Sequence, residues 1–154
     1  MRRALFPLAM AAFITSVVPG ITGELGTRTE AVALVQRVHE KFGNDGADAT
    51  FAAVTLKEFN DRDLYPFIID WNGITLASGG SSALVGKNLM ALKDQDGRYL
   101  TQEIIAVAQG PGKGWLTYKW PNPTTRLVED KTTYVEKMGT YAVGVGVWER
   151  TPAR

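Results

Sequence analysis

The chain has no cysteine in its 154 residues and a single histidine, His39. The first absence excludes a disulfide framework and thiolate chemistry. The second leaves a zinc site mainly to carboxylates, which is unusual, and the two together make heme or iron–sulfur ligation equally poor. No cofactor and no metal is expected. A surplus of charge is missing as well: 17 Lys and Arg stand against 16 Asp and Glu, a formal net charge of +1. That balance gives no footprint for nucleic acid. Beyond the first residues the chain has no apolar run long enough to cross a membrane.

What is present begins at the N-terminus. Arg2 and Arg3 precede the apolar run "ALFPLAMAAFITSVV", which Pro7 interrupts and Pro19-Gly20 closes. A positive n-region, an apolar h-region and a helix-breaking exit predict a secretory signal peptide over 1–26, with its exit between Gly20 and Gly26. The expected location is periplasmic or secreted. No A-x-A site marks the cut, so an N-terminal segment retained as an anchor is the alternative. Residues 27–150 then form one domain and 151–154 a short tail. The 45% hydrophobic and 21% charged fractions are those of a globular protein.

Helical periodicity comes first along that domain. Val32, Leu34, Val35, Val38 and Phe42 form one apolar stripe, with Gly43 as the expected stop. A second helical stretch, "ADATFAAVTLKEF", follows the turn "GNDG". The period then changes. "YPFIIDW" and "ITLAS" flank Asn72-Gly73, a two-residue hairpin signal. After the long connection "GGSSALVGKNLMALKDQDGRY", with one possible helical turn, "LTQEIIAVAQG" reads as a helix ended by glycine. Three β-rich runs, "GWLTYKW", "KTTYVEKM" and "TYAVGVGVW", close the domain. Two helices, a hairpin, a helical crossover and a three-strand meander make an α+β domain on an antiparallel sheet.

Several tempting motifs fail. "GPGKGW" leads into a strand and lacks the Ser or Thr of a phosphate loop. "LKDQDGRYLTQE" sets Asp94, Asp96, Gly97 and Glu103 at calcium-loop positions, but Leu92 takes the first ligand place and an Asp-Gly turn explains the residues. Asp61 and Asp63 flank Arg62 in what reads as a solvated loop. His39 has no identifiable serine or acid partner, which leaves a nucleophilic triad nothing to build on. The chain is not expected to be an enzyme.

The segments "DLYPFIIDWNGITLASG", "LVGKNLMALKDQDG", "GWLTYKWPNP" and "KTTYVEKMGTYAVGVGVW" together resemble the single Cache domain, the extracytoplasmic sensor module of bacterial chemoreceptors and kinases, in its free-standing exported form. The resemblance runs from about Thr29 to Glu149. It implies a PAS-like fold, with a long N-terminal helix packed behind an antiparallel sheet of about five strands. It also implies a pocket on the opposite sheet face for a short organic acid, bound without turnover, in a module linked to chemotaxis or signal transduction. A membrane receptor or transporter is the partner expected to take up the signal. Two positions depart from the family pattern: Ser78 stands where relatives usually carry histidine, and Trp71-Asn72 where they carry acidic residues.

Strand alternation refines the pocket. It puts Leu116, Tyr118 and Trp120 on one face and Trp115, Thr117 and Lys119 on the other. In the last strand Val143, Val145 and Val147 share the face suited to the long helix. Ala142, Gly144 and Gly146 share the opposite face, which either admits another backbone closely or leaves room for a ligand. Tyr65 and Phe67 are candidates for a second wall. The resemblance adds Tyr118, Trp120, Lys131 and Tyr134 as pocket residues, with Ser78 at the departing position. Lys131 and Tyr134 differ by three and so face opposite ways on a regular strand. Trp115 reads equally as a pocket wall or as a cap on the core edge. A lysine and two phenols suit a carboxylate. The rival reading is an interaction subunit of the same fold whose pocket is filled by its own aromatics.

Overall fold

The structure, a computed structural model, describes residues 25–148. The C-terminal tail and all but the last two residues of the expected signal segment lie outside these residues. Helix α1, Arg28–Thr55, opens with a capping box. The Thr27 hydroxyl accepts from the Glu30 amide at 3.2 Å, and the Glu30 carboxylate accepts from the Thr27 amide at 2.8 Å. The stripe read from the sequence is the buried one, with Ala31, Leu34, Val35 and Val38 facing inward. Gly43 does not end the helix. The interruption falls at Gly46, whose φ of 82° and ψ of −179° lie in a region that only glycine tolerates well. The two helical stretches therefore read as one kinked element, and its second half buries Thr50, Ala53 and Val54.

Strands β1 (Pro66–Asp70) and β2 (Thr75–Ser78) form the expected hairpin, but with a longer loop. Asp70 pairs with Ile74 through its amide, and the Gly73 amide returns to the Asp70 carbonyl with Gly73 at φ 79°. This is a three-residue loop with glycine at the left-handed position, rather than a two-residue turn. Asp70 adds a side-chain brace, because its Oδ1 accepts from the amides of Asn72 and Ile74. A 3-10 turn at Ser82–Leu84 and an irregular stretch then lead to α2, Leu100–Gln109, which Gly110 ends. Strands β3 (Lys113–Pro121), β4 (Val128–Met138) and β5 (Tyr141–Val147) make the meander.

The sheet order is β2-β1-β5-β4-β3, with every neighbouring pair antiparallel. Strand β5 is central, and its alternation builds both layers of the domain. Val143, Val145 and Val147 pack with Leu34, Val35, Val38 and Val54 of α1. Ala142 faces the other way, into a second cluster with Ile69, Tyr118, Val135 and the α2 residues Leu100, Ile104, Ile105 and Ala108. Long side chains of the flanking strands use the space over the glycines. A Cβ on Gly144 would collide with the Phe67 ring, and one on Gly146 with Lys131 and Thr133. Neither of the two expected uses of that face is found directly on it: neighbouring side chains cross the glycines and form a floor.

Candidate functional site

Lys131 sits opposite Tyr118 in the β3–β4 ladder. Because Gly146 has no side chain, Lys131 can lie across β5 toward Tyr65, just ahead of β1. There its Nζ donates to the Tyr65 hydroxyl at 2.9 Å. The ammonium lies 4.0 Å from the centroid of the Tyr65 ring, 4.6 Å from that of Trp148 and 5.8 Å from that of Phe67. Ring faces attract a cation, and here they stand in for water. Lys131 is 1% exposed. Among the described residues no carboxylate forms an ion pair with it, and Asp63 acts on it only through its distant charge. Burial therefore dominates and brings the Lys131 ammonium from its usual 10.5 down to about 7, with Asp63 opposing the shift.

Two phenols accompany the lysine. Burial pushes Tyr65 up to about 12 and raises Tyr118 further. Both hydroxyls are thus protonated at neutral pH. Tyr65 accepts from Lys131, and Tyr118 accepts from the Thr133 hydroxyl at 3.0 Å. Each retains its own proton to give.

Above this floor lies a cavity of about 370 Å³, within the range of pockets that take small molecules. Tyr65, Phe67, Ile69, Tyr118 and Lys131 line its base. Thr75, Ser78, Ser81 and Leu84 form one wall, Leu89 and Leu92 of the long connection a second, and Leu100, Thr101 and Ile104 of α2 a third. Gly80, Trp120, Pro121 and Pro123 complete the lining, with both prolines exposed to solvent. Lys131 is the one charged side chain among the described residues of that lining.

Of the eight residues anticipated from the sequence, Tyr65, Phe67, Ser78, Tyr118, Trp120 and Lys131 line this cavity. Trp115 and Tyr134 do not, which corrects the expectation for both. They meet each other on the α1 face of the sheet, with ring centroids 5.2 Å apart, and Arg28 lies over the Trp115 ring. The Tyr134 hydroxyl donates to Glu136 at 3.0 Å. The physical reason is the period of two: Lys131 and Tyr134 are three apart on an unbroken β3–β4 ladder, as are their partners Tyr118 and Trp115. Ser78 is buried, and its Oγ accepts from the Ser81 amide at 3.1 Å.

Sequence reasoning missed Trp148, Thr133 and the leucines of the connection. Trp148 had a signal, because counting by twos from Gly144 and Gly146 reaches it. Leu100 and Ile104 are four apart on one helical face. Leu84, Leu89 and Leu92 lie in irregular chain and follow no period.

The discarded motifs have other roles. Asp94 accepts from the amides of Asp96, Arg98 and Lys119, and Arg98 pairs with Glu103. Asp61 pairs with Arg62, whereas Asp63 is buried and accepts from the Gly26 amide at 2.7 Å. His39 lies on α1 with its Nε2 3.9 Å from Glu136, away from the cavity.

Known proteins match this chain over most of its length. The family model "Single Cache domain 2" matches residues 27–150. A sensor histidine kinase, MctS of Rhizobium johnstonii, is 31% identical over 122 residues, covering 77% of this chain and 26% of the kinase. The methyl-accepting chemotaxis protein McpP of Pseudomonas putida is 29% identical over 90 residues, covering 57% of this chain and 16% of that receptor. The chain thus spans about a quarter or less of these relatives. Among solved structures, a methyl-accepting chemotaxis protein of Vibrio parahaemolyticus superposes with a TM-score of 0.68 at 24% identity, over 78% of this chain and 86% of that one. A Cache chemosensory domain solved for its carboxylic acid recognition superposes with a TM-score of 0.64 at 20% identity, over 79% and 88%. Among the described residues no helix is long and apolar enough to cross a membrane.

Proposed function

Because this chain belongs to the single Cache domain 2 family, we propose that it is an extracytoplasmic sensor domain that binds a small organic acid in the cavity over its sheet, without turnover. The observation that carries this reading is Lys131, a buried cation in the cavity lining with no ion-pairing acid among the described residues. A buried charge is costly until an opposite charge meets it. A carboxylate supplies that charge, and its oxygens also accept from the Tyr65 and Tyr118 hydroxyls. The family likeness to receptor and kinase sensor domains supports the sensor reading; a membrane receptor or transporter is proposed to receive the signal, with the domain lying in the periplasm or outside the cell.

The rival, an interaction subunit with a filled pocket, must account for 370 Å³ of space left above the floor. A catalytic reading has one foothold, since Lys131 and Tyr65 are titratable groups within hydrogen-bond reach. The rings that enclose the ammonium and the phenol's high pKa favour a charge held for pairing over one exchanged in a reaction.

The test is a thermal-shift screen of the purified protein with monocarboxylates, dicarboxylates and the matching neutral amides. An acid at a hundredfold its dissociation constant adds about 2.7 kcal/mol of stability. The expected result is a shift for an acid and none for its amide, lost in both Lys131→Ala and Tyr118→Phe. A folded protein that responds to no acid would favour the interaction subunit.

A further inference from the structure

The walls of the cavity narrow the class of acid. Its one cation is at the base, while Leu84, Leu89, Leu92, Leu100 and Ile104 supply apolar walls away from it. The other polar side chains in the lining are neutral, namely hydroxyls and the Trp120 indole, and the Ser78 hydroxyl already accepts from a backbone amide. The space is too large for a two- or three-carbon acid: 370 Å³ corresponds to roughly twelve waters at their share of liquid volume. Such an acid would satisfy Lys131 and leave water against leucine and isoleucine. A dicarboxylate gains nothing from its second charge, because the described lining offers no second cation to meet it.

We infer that the cavity is built for a monocarboxylate with an apolar body of about six carbons or more, branched or aromatic, rather than for the shortest acids. This rests on the carboxylate reading above, and it gives the tail a role that reading leaves open. The carboxylate sits at the base against Lys131, and the tail lies along α2 and the leucines of the connection.

The experiment is a calorimetric series on the purified protein at pH 6. The probes are acetate, propanoate, butanoate, hexanoate, octanoate and phenylacetate, with hexanamide, glutarate and adipate as comparison arms. Affinity is expected to rise about fourfold per added methylene until the cavity is full. Glutarate and adipate, which trade an apolar end for a second charge that meets no cation of the described lining, are expected to bind about fivefold more weakly than hexanoate, or worse. Tightest binding by acetate or propanoate would overturn the inference and leave the carboxylate reading standing, as would a dicarboxylate matching hexanoate. If hexanamide binds as tightly as hexanoate, the carboxylate reading fails and the inferred acid fails with it, while a rise with chain length still reports the apolar walls. Binding by no probe would overturn both.

Discussion

Lys131→Met is expected to stabilise the ligand-free protein at pH 6 and, in the same variant, to abolish its response to carboxylates. At pH 6 the lysine is charged both in the unfolded chain and in the folded one, where its pKa is about 7. The folded state alone carries the cost of burying it. Methionine fills a similar volume and packs well against the rings of Tyr65, Phe67 and Trp148. Replacing buried charged groups by apolar ones of like volume often gains 1–4 kcal/mol, and about 2 kcal/mol is expected here after the lost cation–ring attraction is set against it. The dependence on pH has a definite sign. Between about 7 and 10.5 the unfolded chain holds a proton at Lys131 that the folded chain has released, so native stability rises with pH across that window. The slope is at most about 1.4 kcal/mol per pH unit, and the advantage of methionine shrinks from pH 7 to pH 9. Denaturant midpoints of both proteins at pH 6 and pH 9 measure this. A variant less stable than the native protein at pH 6 would make Lys131 a structural member of the core.

The second large effect is on affinity. A bound carboxylate favours the charged lysine and raises its pKa in the complex. Below about pH 7 the ammonium is ready, and affinity is level until the ligand's own carboxyl group begins to take up a proton. Above that pH the amine must first gain a proton, and affinity falls about tenfold per unit. Between pH 7 and pH 9 a loss of about 25- to 50-fold is thus expected in calorimetric titrations, because the ammonium is already half titrated at pH 7. A profile flat to pH 9 would mean that the anion meets some group other than Lys131.

Much of the frame was legible in the sequence because it rests on period. The valines of β5 mark the helix-facing side, and the same alternation sends Tyr118 and Trp120 to the cavity and Trp115 away from it. Period also signalled a conflict between Lys131 and Tyr134, both placed in the site by the family resemblance. A bulge, a strand that starts only after Lys131, or the absence of one residue from the site would resolve it; the ladder runs unbroken through both. Loop details were less legible. Asn72-Gly73 signals a hairpin, but Asp70 bracing two amides sets the loop length. Gly43 and Gly46 are indistinguishable by composition, and only the backbone shows which one bends the helix. The lysine cage was hidden for another reason. It joins Tyr65, Trp148 and Lys131 from separate parts of the chain across a glycine, a crossing that strand alternation does not describe. At the two departures from the family pattern, Ser78 lines the cavity, while Trp71 packs partly buried against the α2-side cluster.

The most direct measurement is the titration of the Lys131 side-chain nitrogen by NMR, in protein labelled at lysine Nζ, without ligand and with the best-binding acid at saturation. The account predicts a midpoint near 7 without ligand, raised by two units or more once the acid is bound. A midpoint that stays in place with the cavity occupied would contradict the pairing of this lysine with a carboxylate, and with it a sensor site built on Lys131.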